Sequence, residues 1–131
     1  MKVILIFMLF AAGILSSCKP KSDLEIRDLM MQNVPDSVLP IENMIIVLTD
    51  IQLAESWVNI NKTDTIPKDE RLKIYYAQIF DIHETNVRKY QSSYNYYANE
   101  PVLMNYIYQK VTEKLNLLES ENTNILKQNK K

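Results

Sequence analysis

Three side chains of this chain have the types for acid–base or metal chemistry near one another in sequence order: Asp50, Glu55 and His83. As a carboxylate pair, Asp50 and Glu55 fail on geometry. Five residues along a helix turn the side chain by about 140°, so the two point to different faces. His83, the sole histidine, has Asp81 and Glu84 close by, yet three residues this near on one helix do not converge on an ion. No second histidine follows four positions on, and no cysteine stands ready to complete a zinc site. His83 reads instead as a capping or partly buried residue at a helix end. Glu55, if buried, requires a partner, either a tyrosine hydroxyl or a Lys or Arg from a neighbouring helix. Ser92 and Ser93 have no base beside them, and a G-x-S-x-G elbow needs glycines that this stretch lacks. No catalytic residue, metal or cofactor is expected, and the chain is read as a non-enzyme.

Tyrosine is the second chemical signal. All eight tyrosines follow residue 74, and six fall between Tyr75 and Tyr97. Tyr94 and Tyr97 share the core stripe of their helix, which turns Tyr96 aside, because neighbouring helical residues are about 100° apart. Two readings stand together. Tyrosine fills a small core while its hydroxyl reaches water or a carbonyl, or the rings line a groove for a peptide, glycan or partner helix. The candidate binding residues are Asp50, Glu55, Trp57, Tyr76, Tyr90, Tyr96 and Tyr97. Tyr76, Tyr90, Tyr96 and Trp57 around an unpaired Glu55 would make a ligand pocket.

Helices must position these residues. The one glycine, Gly13, lies in the N-terminal apolar run. Without glycine, the rest cannot easily build type I′ hairpins or phosphate-cradling loops, which rely on residues at positive φ. Residues 18–37 read as a tether, with Ile26, Leu29 and Met30 enough for a helical turn or two. A helix is predicted from Pro40 to about Asn59 on Ile41, Met44, Ile45, Leu48, Ile51 and Val58, with Leu53 and Trp57 widening its apolar surface. A second follows Pro67, with Asp69 and Glu70 in its first turn and a stripe of Leu72, Tyr75, Tyr76, Ile79, Phe80 and His83. Thr85 or Asn86 caps a third, carrying Val87, Tyr90, Tyr94 and Tyr97. Pro101 opens a long fourth, where Met104, Tyr108, Val111, Leu115, Leu118, Asn122 and Ile125 form a coiled-coil-like seam with one polar position. The fold expected is all-α: a small bundle of three to four helices ending in a long one. The divisions are 1–17 signal peptide, 18–37 lipidated cysteine and tether, 38–127 helical domain and 128–131 polar tail.

The start of the chain carries an address. Lys2, thirteen apolar or small residues from Val3 to Leu15, and Ser16-Ser17 have the grammar of a signal peptide. The run is shorter than the ~20 residues that cross a bilayer. Leu15-Ser16-Ser17-Cys18 resembles the lipobox of bacterial lipoproteins, which implies cleavage before Cys18, diacylglycerol on its sulfur and acylation of the new amino terminus. Each buried CH₂ contributes ~0.8 kcal/mol, so two or three acyl chains hold firmly. Lys19 after the cysteine, and Asp23 as the first acidic residue beyond it, imply the outer membrane, facing the periplasm. The rest of the charge is balanced: fifteen Lys and Arg, less Lys2, leave fourteen against sixteen Asp and Glu. No basic stripe suggests nucleic acid. Asp36-Ser37-Val38 and Asp64-Thr65-Ile66 are similar to the Asp-Ser/Thr-aliphatic O-glycosylation site of Bacteroidota envelope proteins, with helix capping the other reading of Ser37 and Thr65.

"PIENMIIVLTDIQLAES", "YYAQIFDIHETN" and "YQSSYNYYANEPVLMNYIYQKV" are similar to a family of short Bacteroidota lipoproteins with a DUF4296-like helical domain of unknown function. The resemblance spans about residues 38 to 118. It is most specific in Asp50-Ile51-Gln52-Leu53-Ala54-Glu55 and in Ser93, Tyr96, Tyr97, Pro101, Ile107, Tyr108 and Val111. The family has a His-Gly turn after the second helix, and here Glu84 replaces the glycine. The resemblance implies a location and a helical fold, but no activity. The expectation is an accessory module that docks an envelope protein; the alternative is a small-ligand or glycan binder using a tyrosine-lined groove.

Overall fold

A computed structural model describes residues 23–30, 34–62 and 65–128. Cys18, the apolar run before it and the last residues of the polar tail lie outside these. The helices are α1 (Asp23–Met30), α2 (Ile41–Ile60), α3 (Lys68–Ile82), α4 (Val87–Ala98) and α5 (Pro101–Gln128), with no strand among the described residues. The protein is an all-α bundle with a long last helix.

Helix α2 is the hub. It packs against α3, α4 and α5, which is why its buried residues, Met44, Val47, Leu48, Ile51, Ala54 and Val58 among them, do not confine themselves to one stripe. Pro40 and Pro67 occupy the N-cap positions of α2 and α3, one residue before the first turn, and neither helix has a side-chain cap bond. Ser37 and Thr65 are both exposed and cap nothing, so the capping reading of these two is removed. Asn86, by contrast, caps α4: its side-chain oxygen accepts from the Lys89 N–H at 2.9 Å. At the far end of α2, the guanidinium of Arg71 reaches back from α3. Its Nη1 donates to the Asn61 carbonyl at 2.8 Å, and its Nη2 to the Val58 carbonyl at 3.4 Å. The last turn of α2 contains no basic residue, and Arg71 brings the cation that the negative end of the helix favours.

Helix α3 stops at a left-handed residue. Glu84 has φ 48°, the one positive value among the described non-glycine residues. Around it the Thr85 N–H donates to the Phe80 carbonyl at 2.8 Å and the Glu84 N–H to the Asp81 carbonyl at 3.1 Å. This is a Schellman motif, whose left-handed position is usually glycine. The helix therefore ends where the expected His-Gly turn would end it, with glutamate in the glycine's place.

Within the stretch 18–37, α1 is the helical turn or two expected of Ile26, Leu29 and Met30, and Leu29, Met30 and Val34 pack against the core. Three expectations about the later helices need correction. In α4 the buried positions are Ser93 and Tyr97, while Tyr94 sits at the surface. In α5 the core residues are Leu103, Ile107 and Val111, four apart, and Tyr108 is exposed. A fully buried aliphatic side chain contributes roughly 1.5–3 kcal/mol, so these three outweigh the tyrosine and set the phase of the helix. The seam also ends early: Leu115 is partly buried, but every described side chain from Asn116 onward is exposed.

Loop residue Leu39 ties the layers together. Its side chain is buried, its N–H donates to the Ser93 hydroxyl at 2.7 Å, and its carbonyl accepts from the Tyr97 hydroxyl at 2.7 Å. The Ser93 hydroxyl in turn donates to the Lys89 carbonyl at 2.6 Å.

Candidate functional site

Two grooves flank α2. The first lies between α2, α3 and α4 and encloses about 470 Å³. Ile51 of α2 and Phe80 of α3 line its apolar part, and Val87, Gln91 and Asn95 run down α4 at four-residue steps to form a wall. The Tyr76 hydroxyl donates to Glu55 Oε1 at 2.6 Å. From there rings continue: Phe80 and Tyr90 have centroids 5.5 Å apart with planes tilted 40°, and Tyr90 and Tyr94 are 6.4 Å apart, tilted 46°. The Tyr94 and Tyr108 hydroxyls then meet at 3.3 Å.

Electrostatics follow from this packing. Burial, then the bond to Glu55 and its charge, push the Tyr76 phenol up to about 12. Burial chiefly, with smaller contributions from Tyr94, Tyr108 and Glu55, pushes Tyr90 up to about 12 as well. The hydroxyl of Tyr108 is also raised, mainly by its bond with Tyr94. All are neutral at physiological pH.

The second groove runs between α2 and α5, about 490 Å³, with Ile45, Ile46, Tyr106 and Leu117 as its apolar lining and Glu42, Lys110, Glu113 and Lys114 as its charged edge. Lys110 Nζ lies 2.7 Å from Glu113 Oε2 and 5.7 Å from the Tyr106 ring centroid. The same lysine holds the Glu113 carboxyl below its ordinary range. A smaller hollow beside it reaches Thr49, Asp50 and Leu118.

The candidate residues part company on this framework. Glu55, Tyr76 and Tyr90 come together in the first groove. Glu55 has its tyrosine partner, so the unpaired carboxylate of the ligand-pocket expectation is not what the structure contains. Trp57 is 57 % exposed on another side of α2 and lines neither groove. Tyr96 stacks edge-on against Tyr97 at 5.2 Å, in a hollow with Leu29, Met30 and Val34. Tyr97 is buried, its hydroxyl given to Leu39 and its phenol raised to about 12, chiefly by burial. Tyr97 is a packing residue, whereas Tyr76 and Tyr90 line a groove. Asp50 meets a different partner, His83, at 2.6 Å from Oδ2 to Nε2. His83 is the C-cap of α3 and half-buried, as a helix-end histidine. Among the described residues no three His, Cys, Asp or Glu side chains gather for a metal ion.

Sequence reasoning missed Tyr94, Gln91 and Asn95 of the groove, and Arg71 and Ser93 of the scaffold. The four-residue spacing of Val87, Gln91 and Asn95 was the signal available for the wall. Nothing in the sequence pairs Arg71 with carbonyls at the end of α2. No helix among the described residues is long and apolar enough to cross a membrane.

Neither the curated proteins nor the solved structures contain a match to this chain. A family model described as "Domain of unknown function (DUF4296)" matches residues 35–121, which include α2, α3, α4, most of α5 and every residue of both grooves. The chain therefore belongs to the DUF4296 family.

Proposed function

We propose that the protein is a non-enzymatic docking module of the bacterial cell envelope. It is anchored through lipid on Cys18 in the outer membrane, faces the periplasm and engages an envelope protein. The observation that carries the docking role is α5 beyond Leu115. From Asn116 to Gln128 its described side chains are exposed, Leu117, Leu118 and Ile125 among them, and the groove with Ile46 runs up to its base. A helix whose apolar side chains past Leu115 are all exposed among the described residues suits a helix or groove on another molecule. Separate partners for Asp50 and Glu55 favour the non-enzymatic reading. Ser37 and Thr65, both exposed, are the proposed O-glycosylation sites.

A photo-crosslinking residue at Leu118 tests the docking role in intact cells. It is expected to trap one envelope protein reproducibly, whereas the same residue at Glu70 on α3 traps none. No adduct from Leu118, or the same adducts from both positions, overturns it. A palmitate analogue that labels the wild type and spares Cys18→Ser checks the anchor. A second reading, a small-ligand or glycan binder, is favoured by the ring-lined groove around Glu55 and Tyr76.

A further inference from the structure

We propose that the groove between α2, α3 and α4 is a receptor for a basic side chain, a lysine ammonium or arginine guanidinium carried on an extended segment of the partner protein. The inference rests on reading the chain as a docking module and names the chemistry of one contact.

Four features of the groove select a cation. Glu55 places a carboxylate at its edge. One oxygen accepts the Tyr76 hydroxyl, and no basic side chain pairs with Glu55 among the described residues. None of the lining residues is basic. Second, the rings of Phe80, Tyr90 and Tyr94 turn by 40° and 46° from one to the next. They therefore do not offer one flat platform. Aromatic faces with a carboxylate beside them attract a cation through the ring quadrupole. Third, two of the three tyrosine hydroxyls are already engaged, Tyr76 with Glu55 and Tyr94 with Tyr108. The tyrosines therefore offer ring face more than hydroxyl, and the amides of Gln91 and Asn95 supply the hydrogen-bonding edge. Fourth, the volume of about 470 Å³ exceeds one ammonium group several times over. It leaves room for the aliphatic stem of a lysine against Ile51 and for flanking backbone beside the amides of Gln91 and Asn95.

The full chain in detergent micelles, isotope-labelled, tests this by nuclear magnetic resonance titration. The probes are a pentapeptide with a central lysine, the same peptide with norleucine in its place, free putrescine, and neutral chitotriose. The lysine peptide is expected to shift the Glu55, Gln91 and Asn95 signals, and to bind at least about fivefold more tightly than the norleucine peptide and than putrescine. Its binding weakens as salt rises from about 0.05 to 0.5 M, because the groove is open to screening. Glu55→Gln, at an exposed position, is expected to weaken it about fivefold or more. Tyr94→Phe keeps the ring and the binding, whereas Tyr94→Leu loses it.

Equal binding of the norleucine peptide would make the groove merely apolar. Tighter binding of putrescine would make it a small-amine site, and of chitotriose a glycan site. Each of these, or silence from all four probes, overturns the proposal. The two grooves share no lining residue. Loss of cation binding with the Leu118 adduct intact therefore removes this inference alone, and loss of that adduct with cation binding intact removes the docking role of α5 alone.

Discussion

Glu84 is held at φ 48°, where its Cβ crowds the following carbonyl and where glycine is at ease. Both Schellman bonds close around it, so the end of α3 dictates the conformation and the residue bears the strain. Glu84→Gly is expected to stabilise the fold by about 1 kcal/mol, a rise of about 4–8 °C in a thermal melt of a domain this size. An unchanged or lower midpoint contradicts this. The same stretch shows what single residues disclose in sequence. The departure at Glu84 is visible because the family resemblance places glycine there, but a missing glycine suggests a helix that ends differently or runs on. That glutamate keeps the turn at a left-handed angle is known only from the structure. His83 as a helix-end residue is equally legible, since its neighbours in sequence define the helix end. That Asp50 would be its partner is not, because 33 positions separate them and only the crossing of α2 and α3 brings them to 2.6 Å.

At the scale of elements, the segment before α2 is held by α4 through main-chain bonds. Leu39 is buried, and its N–H and carbonyl are both satisfied by side chains four residues apart on one helix face. Ser93→Ala leaves that N–H buried without its acceptor. The expected cost is about 1–3 kcal/mol, read as a lower urea midpoint at unchanged slope. Tyr97→Phe, which removes the donor to the carbonyl, is expected to cost a similar amount or less; neutrality of both variants would show that the clamp does not hold. Helix existence and order are legible in the apolar spacing and the Pro and Asn punctuation. The phases of α4 and α5 are not. A tyrosine scores as apolar in a periodic pattern, yet its hydroxyl lets it sit at a surface, as Tyr94 and Tyr108 do. Ser93 scores as polar, yet it is fully buried because it has both a donor and an acceptor there.

Across the whole molecule, tyrosine hydroxyls link the helices: Tyr76 to Glu55 of α2, Tyr97 to Leu39 and Tyr94 to Tyr108 of α5. Tyr76, Tyr90 and Tyr97 are each raised from 10.0 to about 12, in every case chiefly by burial. Unfolding returns them to the ordinary value, so the folded state binds more protons between pH 10 and about 12. Their contribution to stability is thus complete below pH 10 and lost as pH climbs toward 12. Urea unfolding at about pH 9 and 11.5, beside the phenolate absorbance, measures this; Tyr90→Phe is expected to flatten the decline, and a stability independent of alkaline pH contradicts it. The sequence by itself determined that the body is helical, because a chain with no glycine beyond Gly13 and with apolar residues at three- and four-residue steps has few other ways to bury them. It also offered a tyrosine hydroxyl as a partner for Glu55, should that carboxylate be buried. Tertiary structure alone decided that Tyr76 is that partner, that Tyr97 is scaffold while Tyr90 and Tyr94 line a groove, and that α5 outruns its bundle. Those outcomes depend on the rotation and crossing of whole helices, set by many buried contacts at once, and no local spacing encodes them.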